Sequence, residues 1–402
     1  MKKTVAVIGS ESGHNDQRLR NWATVASTSG FQVLFCTRYG KFKGNPFDKQ
    51  SGIEQFRYIL TPEEYELAGL KNKTDLLIGL VNLPFIRSLF RYFLPELIVA
   101  KLKPKLLQFE PDVVVACGLN ALKVAQKVQN QTGCQIIYDS PELEQHRNAR
   151  YSLNLQRKRR WLERKALKQV NVVTVPSPSI AAYLANAYNL RNTPIVIYNI
   201  PLQVCGEEDV GTSPEPANNQ NKIILYVGYR GNGRGLEWLL RALQLLPENF
   251  RLVCIGGSPP ENDKKLLKLA ESLSISHRIE LCGPVPPEDV IQEISFADVS
   301  FIGVENRCLS YYYALPNKLF QSFQAGLPVV APAFPDILKV VEETGMGLCF
   351  HEFEANQIAE ALQKASSLKN DPNWEEKCTL ANKKFSPAVQ RKIMIDLLRP
   401  QA

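Results

Sequence analysis

The sequence predicts an α/β protein made of two Rossmann-like, doubly wound domains facing across a cleft. Three observations predict it. The chain has 402 residues, 45% of them hydrophobic and 22% charged, which is too long for one ordinary core and suits two domains of about 200 residues. Residues 5–8 are a short apolar run leading into Gly9-Ser10-Glu11-Ser12-Gly13 and then a helical pattern, the opening of a doubly wound unit whose ligands sit at the carboxyl ends of its strands. Between residues 203 and 221 the composition shifts to Gly, Glu, Ser, Pro and Asn, the mark of a linker, and the apolar runs restart at Lys222. The expected division is therefore 1–204, a linker at 205–221, a second domain at 222–384 and a closing helix at 385–402.

In the first half, residues 16–29 carry Leu19, Ala23 and Ala26 at helical spacing, and residues 31–36 read as the next strand. Gly9 and Gly13 fall short of a dinucleotide fingerprint, and Thr37-Arg38 stands where an acidic residue would close that motif. A hydride-transfer enzyme is thus disfavoured, while Gly13 stays a candidate ligand contact. Residues 76–108 are apolar with interspersed Arg87, Arg91, Lys101, Lys103 and Lys105, and are divided by Pro84 and Pro95. They read as a pair of amphipathic helices, or as a surface lying on an anionic bilayer. Strand 112–116, helix 120–129 and strand 135–138 lead to Asp139-Ser140-Pro141-Glu142. Asp139 and Glu142 are either candidate groups for an acceptor hydroxyl or, for Asp139, a cap or turn residue. Residues 147–168 are strongly basic around Trp161. That pattern suits a solvated helix face or attraction to anionic lipid or a polyanionic acceptor; no nucleic-acid motif accompanies it.

The formal net charge is +8. Nine cysteines without a Cys-x-x-Cys pair read as small core residues in a reducing compartment, neither a disulfide framework nor a metal site. The opening Met1-Lys2-Lys3 and its short apolar run fit a buried strand better than a signal peptide. No apolar run approaches the roughly 18 residues of a membrane span, so the expected setting is the cytoplasm, at the inner face of the membrane if the basic surfaces bind lipid.

In the second half, strand 223–227 runs into Gly228-Tyr229-Arg230-Gly231-Asn232-Gly233-Arg234-Gly235. Glycines let the backbone approach a ligand, and an arginine fork matches phosphate. Strands 251–255 and 278–281 end in Gly256-Gly257 and Gly283-Pro284-Val285. Residues 311–331 read Tyr-Tyr-Tyr-Ala-Leu-Pro-Asn-Lys-Leu-Phe-Gln-Ser-Phe-Gln-Ala-Gly-Leu-Pro-Val-Val-Ala. Pro316 suits a first helical turn, Gly326 and Pro328 stop the helix, and a buried strand follows. Helices at 335–342, 354–365, 374–384 and 387–398 and a strand at 347–350 complete the half.

The stretches at 226–235 and 316–330 resemble the donor-site signatures of the retaining glycosyltransferases of family four, which have the GT-B fold. Asp16-Gln17-Arg18-Leu19-Arg20 and Tyr198-Asn199-Ile200-Pro201 resemble further landmarks of that family, so the likeness covers nearly the whole chain. The resemblance implies a nucleotide-sugar co-substrate, no other cofactor and no metal, and a glycan, lipid-linked or other hydroxyl acceptor. It implies donor contacts from Arg230, Arg234, Gly256, Gly257, Pro284, Val285, Leu315, Asn317, Lys318 and Gln321. The final helix is expected to cross back to the first domain. The family's paired glutamates fall on Tyr313 and Gln321, and its acceptor-side histidine on Pro141. Tyr313 is accordingly a candidate sugar-pocket residue beside Tyr311 and Tyr312, unless all three only pack; Lys318 holds phosphate unless it is a solvated lysine. A donor-binding scaffold without turnover, or a sugar-nucleotide epimerase of the same fold, is the alternative.

Overall fold

The computed structural model describes residues 3–9, 16–38, 47, 52–60, 84–147, 151–202 and 221–399. The first domain has strands β1 (Thr4–Gly9), β2 (Gln32–Arg38), β3 (Ile53–Tyr58), β4 (Val113–Cys117), β5 (Gln135–Asp139), β6 (Val172–Val175) and β7 (Ile195–Val196), in the order β3-β2-β1-β4-β5-β6-β7. Its helices are α1 (Gln17–Thr28), α2 (Pro84–Phe109), α3 (Leu119–Thr132), α4 (Leu153–Ala166) and α5 (Pro178–Tyr188). Every pairing is parallel, so both faces must be covered. Alternation along the strands does this: Ala6, Ile8, Val114 and Ala116 meet Ile98, Leu102 and Leu106 of α2 on one face. Val5, Val7, Val113 and Val115 meet Leu19 and Trp22 of α1 on the other.

The second domain orders its strands β10-β9-β8-β11-β12-β13: β8 (Lys222–Val227), β9 (Phe250–Ile255), β10 (Ile279–Cys282), β11 (Val299–Phe301), β12 (Val329–Pro332) and β13 (Gly347–Phe350), again all parallel. Around them lie α6 (Leu236–Leu245), α7 (Pro260–Ser272), α8 (Val290–Ile294), α9 (Leu309–Tyr312), α10 (Asn317–Gln324), α11 (Pro335–Thr344), α12 (Ala355–Ala365), α13 (Trp374–Lys384) and α14 (Pro387–Leu398). The strand order reverses between β8 and β11, which places a ligand crevice at their carboxyl ends. The loops after those two strands hold the residues of interest.

The domains touch through a ring of polar contacts. Leu143 N donates to Ser310 Oγ at 3.1 Å, Ser177 Oγ to the Tyr313 carbonyl at 2.6 Å, and both Ser179 N and Oγ to the Asp336 carboxylate at 2.9 Å. Arg20 reaches Glu288 at 3.7 Å. From α14, Met394 and Leu398 join the first domain's core against Val5 and Trp22.

Two sequence expectations change. Pro95 does not divide the 84–109 segment, because α2 runs through both Pro95 and Pro104; Ile98, Leu102 and Leu106, at i, i+4 and i+8, are wholly buried and hold it to the sheet despite the missing donors. Pro316 is the residue before α10 and Asn317 its first. Strand β3 and helix α7 had no expectation. Gly13, most of the 76–93 stretch and the 205–220 linker lie outside the described residues or side chains.

Candidate active site

Three loops of the second domain converge. The first, Gly228 to Gly235, takes its shape from glycine, since Gly228, Gly233 and Gly235 have φ of +121°, +80° and +67°, a region side chains disfavour. The loop after β11 presses on it: a Cβ on Gly303 would stand 1.9 Å from the Arg234 carbonyl oxygen. Glu305 completes the support, donating its N–H to the Gly233 carbonyl at 3.1 Å and accepting from Gly235 N on Oε1 at 3.2 Å. The third segment is α10, whose N-terminal amides follow Pro316.

Lys318, in the first turn of α10, is 8% exposed and reaches under the glycine loop. Its Nζ lies 4.3 Å from the Tyr226 ring centre and 3.5 Å from where a Cβ on Gly228 would be. It forms no ion pair or side-chain hydrogen bond among the described residues. Burial, with the Arg234 charge adding to it, brings its ammonium down to about 7. Arg234 is half-buried, with its guanidinium 5.5 Å from the Tyr311 ring centre. Like Lys318, it is in no ion pair among the described residues. Two basic side chains rest on two aromatic faces, next to a helix N-terminus, with no carboxylate paired to either among the described residues; such an arrangement invites an anion.

Arg230, expected beside Arg234, points elsewhere. It is 6% exposed and forms a fork on Asp263 of α7, Nε to Oδ1 at 2.8 Å and Nη2 to Oδ2 at 2.9 Å. Its Nη1 donates to the carbonyls of Gly256 at 2.7 Å and Cys282 at 2.9 Å, so its donors are committed. Arg230 thereby ties the glycine loop to the strand ends carrying Gly256, Gly257, Pro284 and Val285. Leu315 is a core residue at 3% exposure, with only its backbone open to a site role. Asn317 is half-buried, and Gln321, one turn beyond Lys318, is 7% exposed with its amide in no hydrogen bond among the described residues.

The candidates of the first domain are placed differently. Asp139 is wholly buried; its carboxylate takes Arg18 Nε at 2.7 Å, Arg18 Nη2 at 2.6 Å and Thr174 Oγ1 at 2.6 Å. Arg18 also donates to the Ile197 carbonyl at 2.6 Å. A carboxylate so enclosed leaves no open face for an acceptor hydroxyl, and Asp139 is instead a lock joining α1, β5 and the β7 exit. Glu142 pairs with Arg147 at 2.8 Å. Of the three tyrosines, Tyr311 faces Arg234, Tyr312 packs on Phe334 at 5.2 Å between ring centres and Tyr313 faces Tyr183 across the domain seam at 6.4 Å. Asp298, in the loop before β11, accepts from Ile223 N at 2.7 Å, a structural role. No group of three or more His, Cys, Asp or Glu able to hold a metal occurs among the described residues.

Sequence reasoning missed Asp263, Glu305 and Tyr226. The last alone had a signal, since a tyrosine inside a buried strand needs a partner for its hydroxyl, here the Tyr229 carbonyl at 2.7 Å.

Residues 57–200 match the family described as "Glycosyltransferase Family 4" and residues 212–384 that described as "Glycosyl transferases group 1". The chain is 26% identical over 158 residues to the D-inositol 3-phosphate glycosyltransferase of Corynebacterium aurimucosum and 30% identical over 149 residues to that of Corynebacterium urealyticum. These matches take in 38% and 35% of this chain but 36% and 34% of the relatives, about a third of their length. Among solved structures, the sucrose-phosphate synthase of Thermosynechococcus elongatus superposes with a TM-score of 0.73 at 19% identity, over 99% of this chain and 98% of that one. Anabaena HepE in complex with UDP-glucose does so with a TM-score of 0.69 at 15% identity, over 98% and 99%.

Proposed function

We propose, from the premise that this chain is a glycosyltransferase of the GT-B, family-four type, that it moves a sugar from a nucleotide donor to a hydroxyl of a glycan or lipid-linked acceptor, with retention at the anomeric carbon. The observation that carries the reading is a pair of basic side chains without a carboxylate partner among the described residues, Arg234 on the glycine loop and Lys318 beneath it in the first turn of α10. A donor diphosphate brings two negative charges, and its departure from the sugar adds charge on the leaving oxygen. Fixed positive groups aimed at that oxygen lower the barrier most when they are preorganised and partly out of water. Those two cations and the α10 dipole supply the compensation, so the reading calls for no metal and no cofactor beyond the co-substrate. That HepE and a trehalose-6-phosphate protein from E. coli were solved with UDP-glucose and UDP-2-fluoro glucose supports a nucleotide sugar as the donor here.

Gln321 reads the ribose in this account. An amide keeps a carbonyl acceptor for a ribose hydroxyl, though without the charge a glutamate would bring. The base lies against the ends of β9 and β10, where Arg230 holds the backbone. The acceptor enters from the first domain. There α4 exposes Trp161 at 60% and Leu153 at 69% among Arg157, Lys158, Arg164 and Lys165, with Lys165 Nζ 5.6 Å from the Trp161 ring centre. Basic side chains around a tryptophan suit the headgroup layer of an anionic bilayer. None of the described helices is long and apolar enough to cross a membrane.

The test is incubation with a panel of nucleotide sugars and simple acceptors, following release of nucleoside diphosphate. Release or transfer with one donor supports the enzyme; tight donor binding without release makes the protein a scaffold, and no binding at all ends the reading. Co-sedimentation with anionic but not neutral vesicles, lost in Trp161→Ala, tests the membrane contact.

A further inference from the structure

We propose that Lys318 takes up a proton from solvent when a nucleotide sugar enters, so that donor binding itself completes the positive charge of the phosphate cradle. The proposal rests on the donor reading above and concerns a property of the empty site.

Among the described residues, the geometry leaves Lys318 short of compensation. From β8 it meets only the face of Tyr226, whose phenol burial holds well above its ordinary value and which therefore stays neutral. From β9, Cys254 is held up to about 12 by its own burial and adds no charge at neutral pH. From the glycine loop comes Arg234, a second cation, and the Gly228 backbone. Along α10 its neighbours are Asn317, Gln321 and Ser322, all uncharged; Ser322 Oγ donates to the Lys318 carbonyl and pairs with Ser300 Oγ from β11, each at 2.8 Å. A buried amine beside a like charge, with no carboxylate at hand, gives up its proton near neutrality. A diphosphate placed between Lys318 and Arg234 reverses that balance, because an adjacent anion favours the ammonium. The amine gains one proton from solvent, and no bond within the donor is made or broken.

The consequence is linkage: donor affinity carries a pH dependence that belongs to the protein. A nucleotide sugar suits the measurement because its diphosphate is esterified at both ends and keeps its charge through this range, unlike a free nucleoside diphosphate. Calorimetric titration at about pH 8, in HEPES and again in Tris, two buffers of different ionisation enthalpy that carry no phosphate, with UDP-glucose, GDP-mannose and ADP-glucose as probes, reads proton uptake as the difference in apparent enthalpy between buffers. The expected result is uptake approaching one proton per site for the donor that binds, falling toward none at about pH 5.5, where Lys318 is already charged. Lys318→Arg, whose guanidinium stays charged throughout, binds the same donor without the buffer dependence. Wild-type binding with identical enthalpy in both buffers overturns proton uptake and leaves the donor reading standing. No binding by any of the probes overturns the donor reading and the coupling with it. Buffer dependence that persists in Lys318→Arg assigns the proton to another group and overturns the role of Lys318.

Discussion

Arg230 and Arg234 sit in one loop four residues apart, and their surroundings assign them opposite roles. Arg234 has its charge uncompensated over Tyr311, whereas every donor nitrogen of Arg230 is already engaged by Asp263 and three carbonyls. Arg234→Ala is therefore expected to weaken nucleotide-sugar binding by about 2 kcal/mol, roughly thirtyfold, through loss of a charge-assisted phosphate contact. Calorimetry checks this, and an unchanged affinity contradicts it. Arg230→Ala has a different signature: it strips three carbonyls and a carboxylate of their donor, so stability falls by about 3 kcal/mol in denaturant titration, with a rise in donor KM as the base loops loosen. The sequence singles out Arg234 because its place before Gly235 is local information. The partner of Arg230 lies 33 residues away in α7, and no short pattern announces it. Asp139 was opaque for the same reason, since Arg18, 121 residues earlier, encloses it.

Elements were more legible than side-chain roles. Periodicity alone located α1, α12, α13 and α14, because each buries one apolar stripe; α2 was read as two helices because proline is a local stop signal while its burial against the sheet is not local. Helix α4 shows how an element is fastened. Glu163 on its inner face is wholly buried and takes the hydroxyls of Tyr138 at 2.7 Å and Tyr188 at 2.6 Å. Burial raises this carboxyl to about 7, with Glu144 adding to the effect. The unfolded chain thus holds fewer protons than the native one between roughly pH 4.5 and 7, so this group's contribution to stability falls as pH rises through that window and is flat above it. Glu163→Gln, uncharged at every pH, is expected to gain on the wild type across the same window, by up to roughly 3 kcal/mol above pH 7. Thermal melts at about pH 5 and pH 8 check it; a difference that does not change with pH contradicts it.

At the scale of the whole molecule, the chain length, a composition break and apolar runs that restart at Lys222 pointed to two domains, because binary patterning is repeated many times over. How the halves meet was less legible, for the seam is built from single contacts such as Ser177 to Tyr313 and Ser179 to Asp336. Helix α14 is the larger tie. Leu398 is wholly buried in the first domain's core, and Leu398→Ala is expected to cost about 3 kcal/mol of that domain's stability, seen as an earlier transition in denaturant; an unchanged transition contradicts the packing. The central claim is that a donor diphosphate lodges between the glycine loop and the start of α10. The most direct measurement is a crystal structure of the protein with UDP bound. The diphosphate is expected within hydrogen-bond distance of both Arg234 and Lys318, below Gly228. A diphosphate held away from Lys318, in the recess that Arg234 and the glycine loop share with Arg241 and Lys265, or anywhere on the first domain, would contradict it.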